Sequence, residues 1–134
     1  MIRRLDWPER LAAHLAATEA EGAWTEIRYC ALWAADAVLV MTDVDPAAPY
    51  RELSVEEAYR AVCEAGHDTI EQALAGVFGA AVHPSRARRG DVMLKDDGRA
   101  VGICCGEQTA FLSDSGIAYL PTFEQRAAFQ VPFA

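Results

Sequence analysis

Cys30 is the residue whose type and position bear most directly on chemistry. It heads the apolar run Ala31-Leu32-Trp33-Ala34-Ala35-Asp36-Ala37-Val38-Leu39-Val40-Met41. A helix there would offer the thiol unpaired N–H groups and the positive end of a dipole, which together stabilise a thiolate. Nucleophiles are often placed this way, although an isolated cysteine at a helix start is more often a small apolar filler. Cys63, Cys104 and Cys105 form no C-x-x-C pair, and the four spacings suit neither a secreted disulfide scaffold nor a zinc site. All four therefore read as free thiols. Cys104 and Cys105 are neighbours on an expected strand, so their side chains leave it on opposite faces and a bond between them would be strained.

Three histidines and one acid complete the reactive inventory. His14 falls on the apolar stripe of the first helix, where a hydrogen-bonded core or boundary histidine is expected. His67 precedes the fourth helix and reads as a surface side chain. His83 lies ahead of the first strand, at the hairpin end away from the start of the second. Asp36 reads as a cap or the partner of a surface cation. No metal or cofactor is expected from these groups.

The elements that must position them follow from periodicity and punctuation. At 134 residues, 52% hydrophobic and 24% charged, the chain suits one domain, residues 1–134, with one core and no membrane span. A net charge of −8 disfavours a nucleic-acid surface, and the cluster Arg86, Arg88 and Arg89 reads as a solvated turn. Met1 to Pro8 lacks the apolar stretch of a secretory signal. A first helix is expected from Trp7-Pro8 to about Ala20 with Gly22 as its stop, and the run from Ala31 to Met41 as a central buried helix. Two prolines, Pro46 and Pro49, mark a loop. Ser54 and Glu57 make a capping box for a third helix, and Asp68 is expected to cap a fourth from Thr69 to about Phe78.

Beyond Gly79 the period changes to two. Strands are expected at Asp91–Lys95, Ala100–Cys105, Thr109–Leu112, Gly116–Leu120 and Ala128–Val131, the first two joined by a turn at Asp96-Asp97-Gly98. The fold class is α+β, three or four N-terminal helices packed on a small C-terminal antiparallel β-meander. The aromatics Trp7, Trp24, Trp33, Phe123, Phe129 and Phe133 exceed what so small a core can hold, and some of those near the termini are expected as interface anchors. Phe133-Ala134 is a candidate docking tail.

The stretch Arg28-Tyr29-Cys30-Ala31-Leu32-Trp33-Ala34-Ala35-Asp36-Ala37-Val38 resembles the cysteine-bearing helix of the NlpC-type cell-wall peptidases. Arg89-Gly90-Asp91-Val92-Met93-Leu94 resembles their "PGD" entry to the first strand, and Ala100-Val101-Gly102-Ile103-Cys104-Cys105-Gly106 their "HVGIYxG" second strand. The resemblance spans about Trp24 to Tyr119, in the right order. It is closest to a short branch found in tailed phages and prophages, in which Asp-Pro-Ala-Ala-Pro-Tyr-Arg after the central helix also recurs. It implies a papain-like fold and metal-free cleavage of peptidoglycan peptides by a cysteine, a histidine and a third polar residue.

Two of those roles are vacant here. The histidine position is Ala100, which can neither accept the thiol proton nor return it to a leaving amine. The strand expected to carry the third residue offers only Thr109. The resemblance with these departures implies a non-catalytic structural component of a phage or prophage tail tip. Such a component would be assembled in the bacterial cytoplasm, sit in the virion and be held by neighbouring tail-tip or hub proteins, with no nucleic acid or membrane partner. The alternative is an active cysteine peptidase or amidase with Cys30 as nucleophile and peptidoglycan as substrate.

Overall fold

Each element follows from a local signal in the chain. The structure, a computed structural model, describes residues 1–21 and 30–133. Gly22, Trp24, Arg28, Tyr29 and Ala134 lie outside them, and with them the expected end of the first helix and the opening of the stretch that resembles a peptidase. Helix α1 runs Trp7–Glu21, with Pro8 in the first turn, where its missing N–H goes unused. Helix α2 runs Cys30–Thr42 and turns Trp33, Ala34, Ala37, Val38 and Met41 into the main core. Trp33 is fully buried; its indole N–H donates to Thr18 Oγ1 at 2.7 Å, and its ring lies 5.3 Å from that of His14.

Helix α3, Val55–Glu64, starts at the expected box: Ser54 Oγ accepts from the Glu57 amide, and Glu57 accepts from the Ser54 amide. Helix α4, Ile70–Phe78, is capped by Thr69 rather than Asp68. The shift has a simple cause in Gln72, whose amide donates to Thr69 Oγ1 at 3.1 Å while its side-chain oxygen accepts from the Asp68 amide at 2.8 Å.

The sheet comprises β1 Val92–Leu94, β2 Val101–Cys104, β3 Gln108–Ser113, β4 Gly116–Pro121 and β5 Ala127–Phe129. It is antiparallel throughout, in the order β4-β3-β2-β1-β5. Only the first four strands form a meander; the expectation that β5 would extend it is corrected. A 3₁₀ turn at Thr122–Glu124 carries the chain back, and β5 pairs with β1 in the register Val92↔Phe129. This placement buries β1 between two partners in the middle of the core.

Alternation sorts the two faces. Val92, Leu94, Val101, Ile103, Ala110, Leu112 and Phe129 face α1 and α2, whereas Met93, Cys104 and Ala128 face away, under Val82 and Ala87. Cys104 and Cys105 accordingly part to opposite faces. All four cysteines are free. Among the described residues no helix is long and apolar enough to cross a membrane.

Candidate functional site

Cys30 opens α2 as expected and is half-buried. Its electrostatics run opposite to the expectation of a stabilised thiolate. Burial pushes the thiol up, and the backbone amides of Val101, Ala31 and Cys30 itself offset this only in part, while Asp97 adds to it. Desolvation outweighs the helix start because the sulfur lies against the sheet rather than in water. The thiol is therefore protonated near neutral pH.

The Val101 amide on that sulfur fixes what lies beside it. Ala100 directly precedes Val101 and stands just outside β2, half-buried, its carbonyl accepting from the Lys95 amide at 2.8 Å. Position 100 thus adjoins the thiol and carries a methyl group. Thr109, the candidate third residue, is not at this site. It pairs with Cys104 across β2 and β3, and its buried hydroxyl shares a 3.0 Å hydrogen bond with Thr122. Alternation aims it at the sheet face away from the helices, which spacing along the strand could not reveal without the register.

The three imidazoles are placed by different parts of the fold. His83 caps the turn Pro84–Arg86, with Nδ1 accepting from the Ser85 amide, beyond the β5 edge to which Val82 is bridged. His14 is half-buried with its ring tilted 30° against Trp33, at the boundary rather than in the core, the two positions expected for it. His67 differs from its expectation as a plain surface side chain. It is half-buried against α4, so close over Gly76 that a Cβ there would stand 3.2 Å from its ring, and it lines the same cavity as Cys30.

That cavity opens beside the thiol. It holds about 490 Å³ between α2, α3 and α4, with Val92 and Val101 of the sheet at its base. Its α2 wall sets the small residues Ala31, Ala34 and Ala35 beside Cys30, together with Leu32 and Val38, and these side chains leave the space between the helices unfilled. Asp68 and Arg99 are the charged residues in its wall among the described ones.

Two clamps hold the surroundings. Arg51 spans from Asp36 on α2, at 2.6 Å, to both oxygens of Asp45, at 3.0 and 3.1 Å, and this holds the Asp45 carboxyl below its ordinary range. The loop motif that starts at Asp45 and ends at Arg51 is thus closed by its own ends and tied to α2. The second clamp was missed in the sequence. Arg3 is buried, donating to Asp91 Oδ1 at 2.7 Å, to the Val131 carbonyl at 2.9 Å and to the Arg89 carbonyl at 2.6 Å. Asp91 also accepts from the amides of Arg88 and Val131. Gly90 makes room for it at φ +92, since a Cβ there would lie 2.6 Å from the Arg3 guanidinium. The "PGD"-like residues therefore join the two ends of the chain. Phe133, expected as a docking tail, lies edge-on to Trp7 at 5.9 Å, with Arg3 and Arg88 over its ring.

Comparison with curated proteins found no match. The family model described as a domain of unknown function (DUF6950) matches residues 2–131, which takes in Arg3, Cys30, Asp91, Ala100 and every helix and strand described above, and the chain belongs to that family.

Proposed function

We propose that the chain is a non-catalytic NlpC-like scaffold that serves as a structural component of a phage or prophage tail tip, held in the virion by neighbouring tail proteins. The observation that carries this reading is the methyl group of Ala100 at the position next to a half-buried Cys30 thiol. The order of elements also supports it, with a cysteine heading the buried helix that packs against the second strand of an antiparallel sheet. A missing general base typically forfeits about 10²–10⁴ in rate, and burial removes the thiolate that would have to attack.

Purified protein is expected to leave peptidoglycan peptides uncut, and Cys30 to alkylate slowly near pH 7. Particles carrying Cys30→Ala are expected to assemble normally, with the chain present in the purified tail. Cleavage by the native protein that disappears in Cys30→Ala would overturn the reading. The peptidase alternative is favoured by one observation, the presence of His67 in the wall it shares with Cys30. It predicts that His67→Ala abolishes cleavage and slows alkylation, whereas the scaffold reading predicts no cleavage to lose and no change in thiol reactivity.

A further inference from the structure

We infer that the open groove between α2, α3 and α4 is a docking site for a basic, amphipathic segment of a partner protein. The first ground is apolar surface without cover. Val55, Ala58, Tyr59 and Val62 recur on one face of α3 at helical spacing, and Ile70, Leu74 and Val77 on α4, and all of them line the groove. Yet α4 buries no residue and α3 only Ala58. Tyr59 is 57% exposed and Val77 45%, so the rim presents large side chains to water while the cavity below stays empty of side chains. Recognition grooves for amphipathic segments have this form, anchors at helical spacing entering an apolar trough.

The second ground is charge, which selects among occupants. From Glu52 to Glu71 the chain carries six carboxylates, Glu52, Glu56, Glu57, Glu64, Asp68 and Glu71, against Arg60 as the one Lys or Arg. Glu56 meets Arg60 at 3.6 Å and Glu71 meets Arg126 at 2.9 Å. Glu52, Glu64 and Asp68 have no ion pair among the described residues. Much of the net charge of −8 is therefore concentrated in the segment whose apolar face forms one bank of the groove, with Asp68 in the groove wall and the other five carboxylates outside it. Among the described residues of the wall, an apolar anion such as a fatty carboxylate would have Arg99 alone to hold its head against that bank. A second copy of this chain would bring the same acidic segment to it. A segment with an apolar ridge and Lys or Arg flanks satisfies both the trough and the bank, and the field steers its approach. This deepens the scaffold reading by naming a surface and its partner's chemistry, and rests on that reading for the partner being a tail subunit.

The probe is a fluorescent synthetic helix of about 16 residues with leucines at helical spacing and lysine flanks, beside a twin with glutamate flanks, followed by anisotropy. The lysine peptide is expected to bind at least about tenfold tighter than its twin and to weaken about tenfold when salt rises from about 0.05 to about 0.5 M. Tyr59→Asp with Val77→Asp is expected to weaken it about tenfold, as is Glu52→Lys with Glu64→Lys and Asp68→Lys. Leu5→Asp and Phe123→Asp, at exposed apolar positions outside the groove wall, are expected to leave it unchanged. All altered positions are exposed, and matching melting temperatures check that the variants fold.

Equal binding of the twin, or indifference to the rim variants, would overturn the proposal. So would displacement of the peptide by laurate, which assigns the groove to an acyl anion, or a dimer of the free protein that the rim variants dissolve. Failed peptide binding with no peptidoglycan cleavage removes the docking site and leaves the inert scaffold standing; cleavage with peptide binding intact does the reverse.

Discussion

The two sides of α2 are packed by opposite rules. Toward α1 and the sheet it sends Trp33, Val38 and Met41 into a core with Leu11, Ile103 and Phe129, each of them essentially inaccessible. Toward α3 and α4 it presents Leu32 and Ala35, which with Ala47 and Ala58 make a small satellite cluster beside an open cavity. Both sides are apolar, and both mix alanines with larger side chains, so what distinguishes them is cover: the side toward α1 and the sheet is filled, and the side toward α3 and α4 is not. Stability is concentrated where side chains interlock, and the cavity side leaves room for something else to enter.

The comparison is broken most severely at the clamp that holds the packed side together. Asp91→Ala removes the buried partner of Arg3 and orphans the Arg88 and Val131 amides, and is expected to cost about 3–5 kcal/mol by urea denaturation. Arg3→Met in that background should recover part of the loss, because it removes the uncompensated cation. Gly102→Ala comes next. Its Cβ would lie 2.5 Å from the Ala110 carbonyl oxygen and 2.7 Å from the Phe111 ring. Strand and ring must shift, at a cost of about 3 kcal/mol, the upper end of the overpacking range.

A matched pair on α2 itself sharpens the contrast. Ala37→Leu adds volume to the packed side, where Ala37 is fully buried, and is expected to destabilise by about 1–3 kcal/mol. Ala35→Leu adds the same volume to the cavity wall and is expected to stabilise by about 0.5–2 kcal/mol. It should also weaken the basic peptide, since it occupies the same space. If both substitutions cost alike, the two sides are equally packed and the contrast fails.

What the sequence made legible was local. Ser54 and Glu57 announce a capping box because the pattern acts over one turn, and the apolar run after Cys30 announces a buried helix because apolar residues cover most of its circumference. Adjacent Cys104 and Cys105 part to opposite faces by alternation alone. What it hid depends on contacts made across the chain. Arg3 and Asp91 are 88 residues apart, and nothing in Met1 to Leu5 marks a buried arginine. Thr109 looked available beside Cys30 until pairing with Cys104 turned it to the far face. The return of β5 to β1 is equally nonlocal. The groove was invisible because alanines in α2 read as core, and only their neighbours' distance leaves them a cavity. The raised Cys30 thiol was missed for a related reason: a helix start argues for a thiolate, and burial against Val101 argues more strongly against it.

The smallest expected effect follows from that thiol and tests both sides at once. Burial raises Cys30 beside the groove and Cys104 on the sheet's outer face. Each binds its proton more tightly folded than unfolded. The stability they contribute is therefore whole below the unfolded thiol value of about 8.5 and is lost as pH rises through it toward the raised folded values. Urea midpoints are expected to hold between pH 6 and pH 8, as experimental settings about the thiol range, and to fall progressively above. Cys30→Ala should flatten part of that fall and Cys104→Ala another part. A midpoint that instead rose with alkaline pH would mean the folded thiols lose their protons more readily than the unfolded ones. Cys30 would then be the activated nucleophile that its place at the head of α2 first suggested, and the inert-scaffold reading would fail at the sulfur itself.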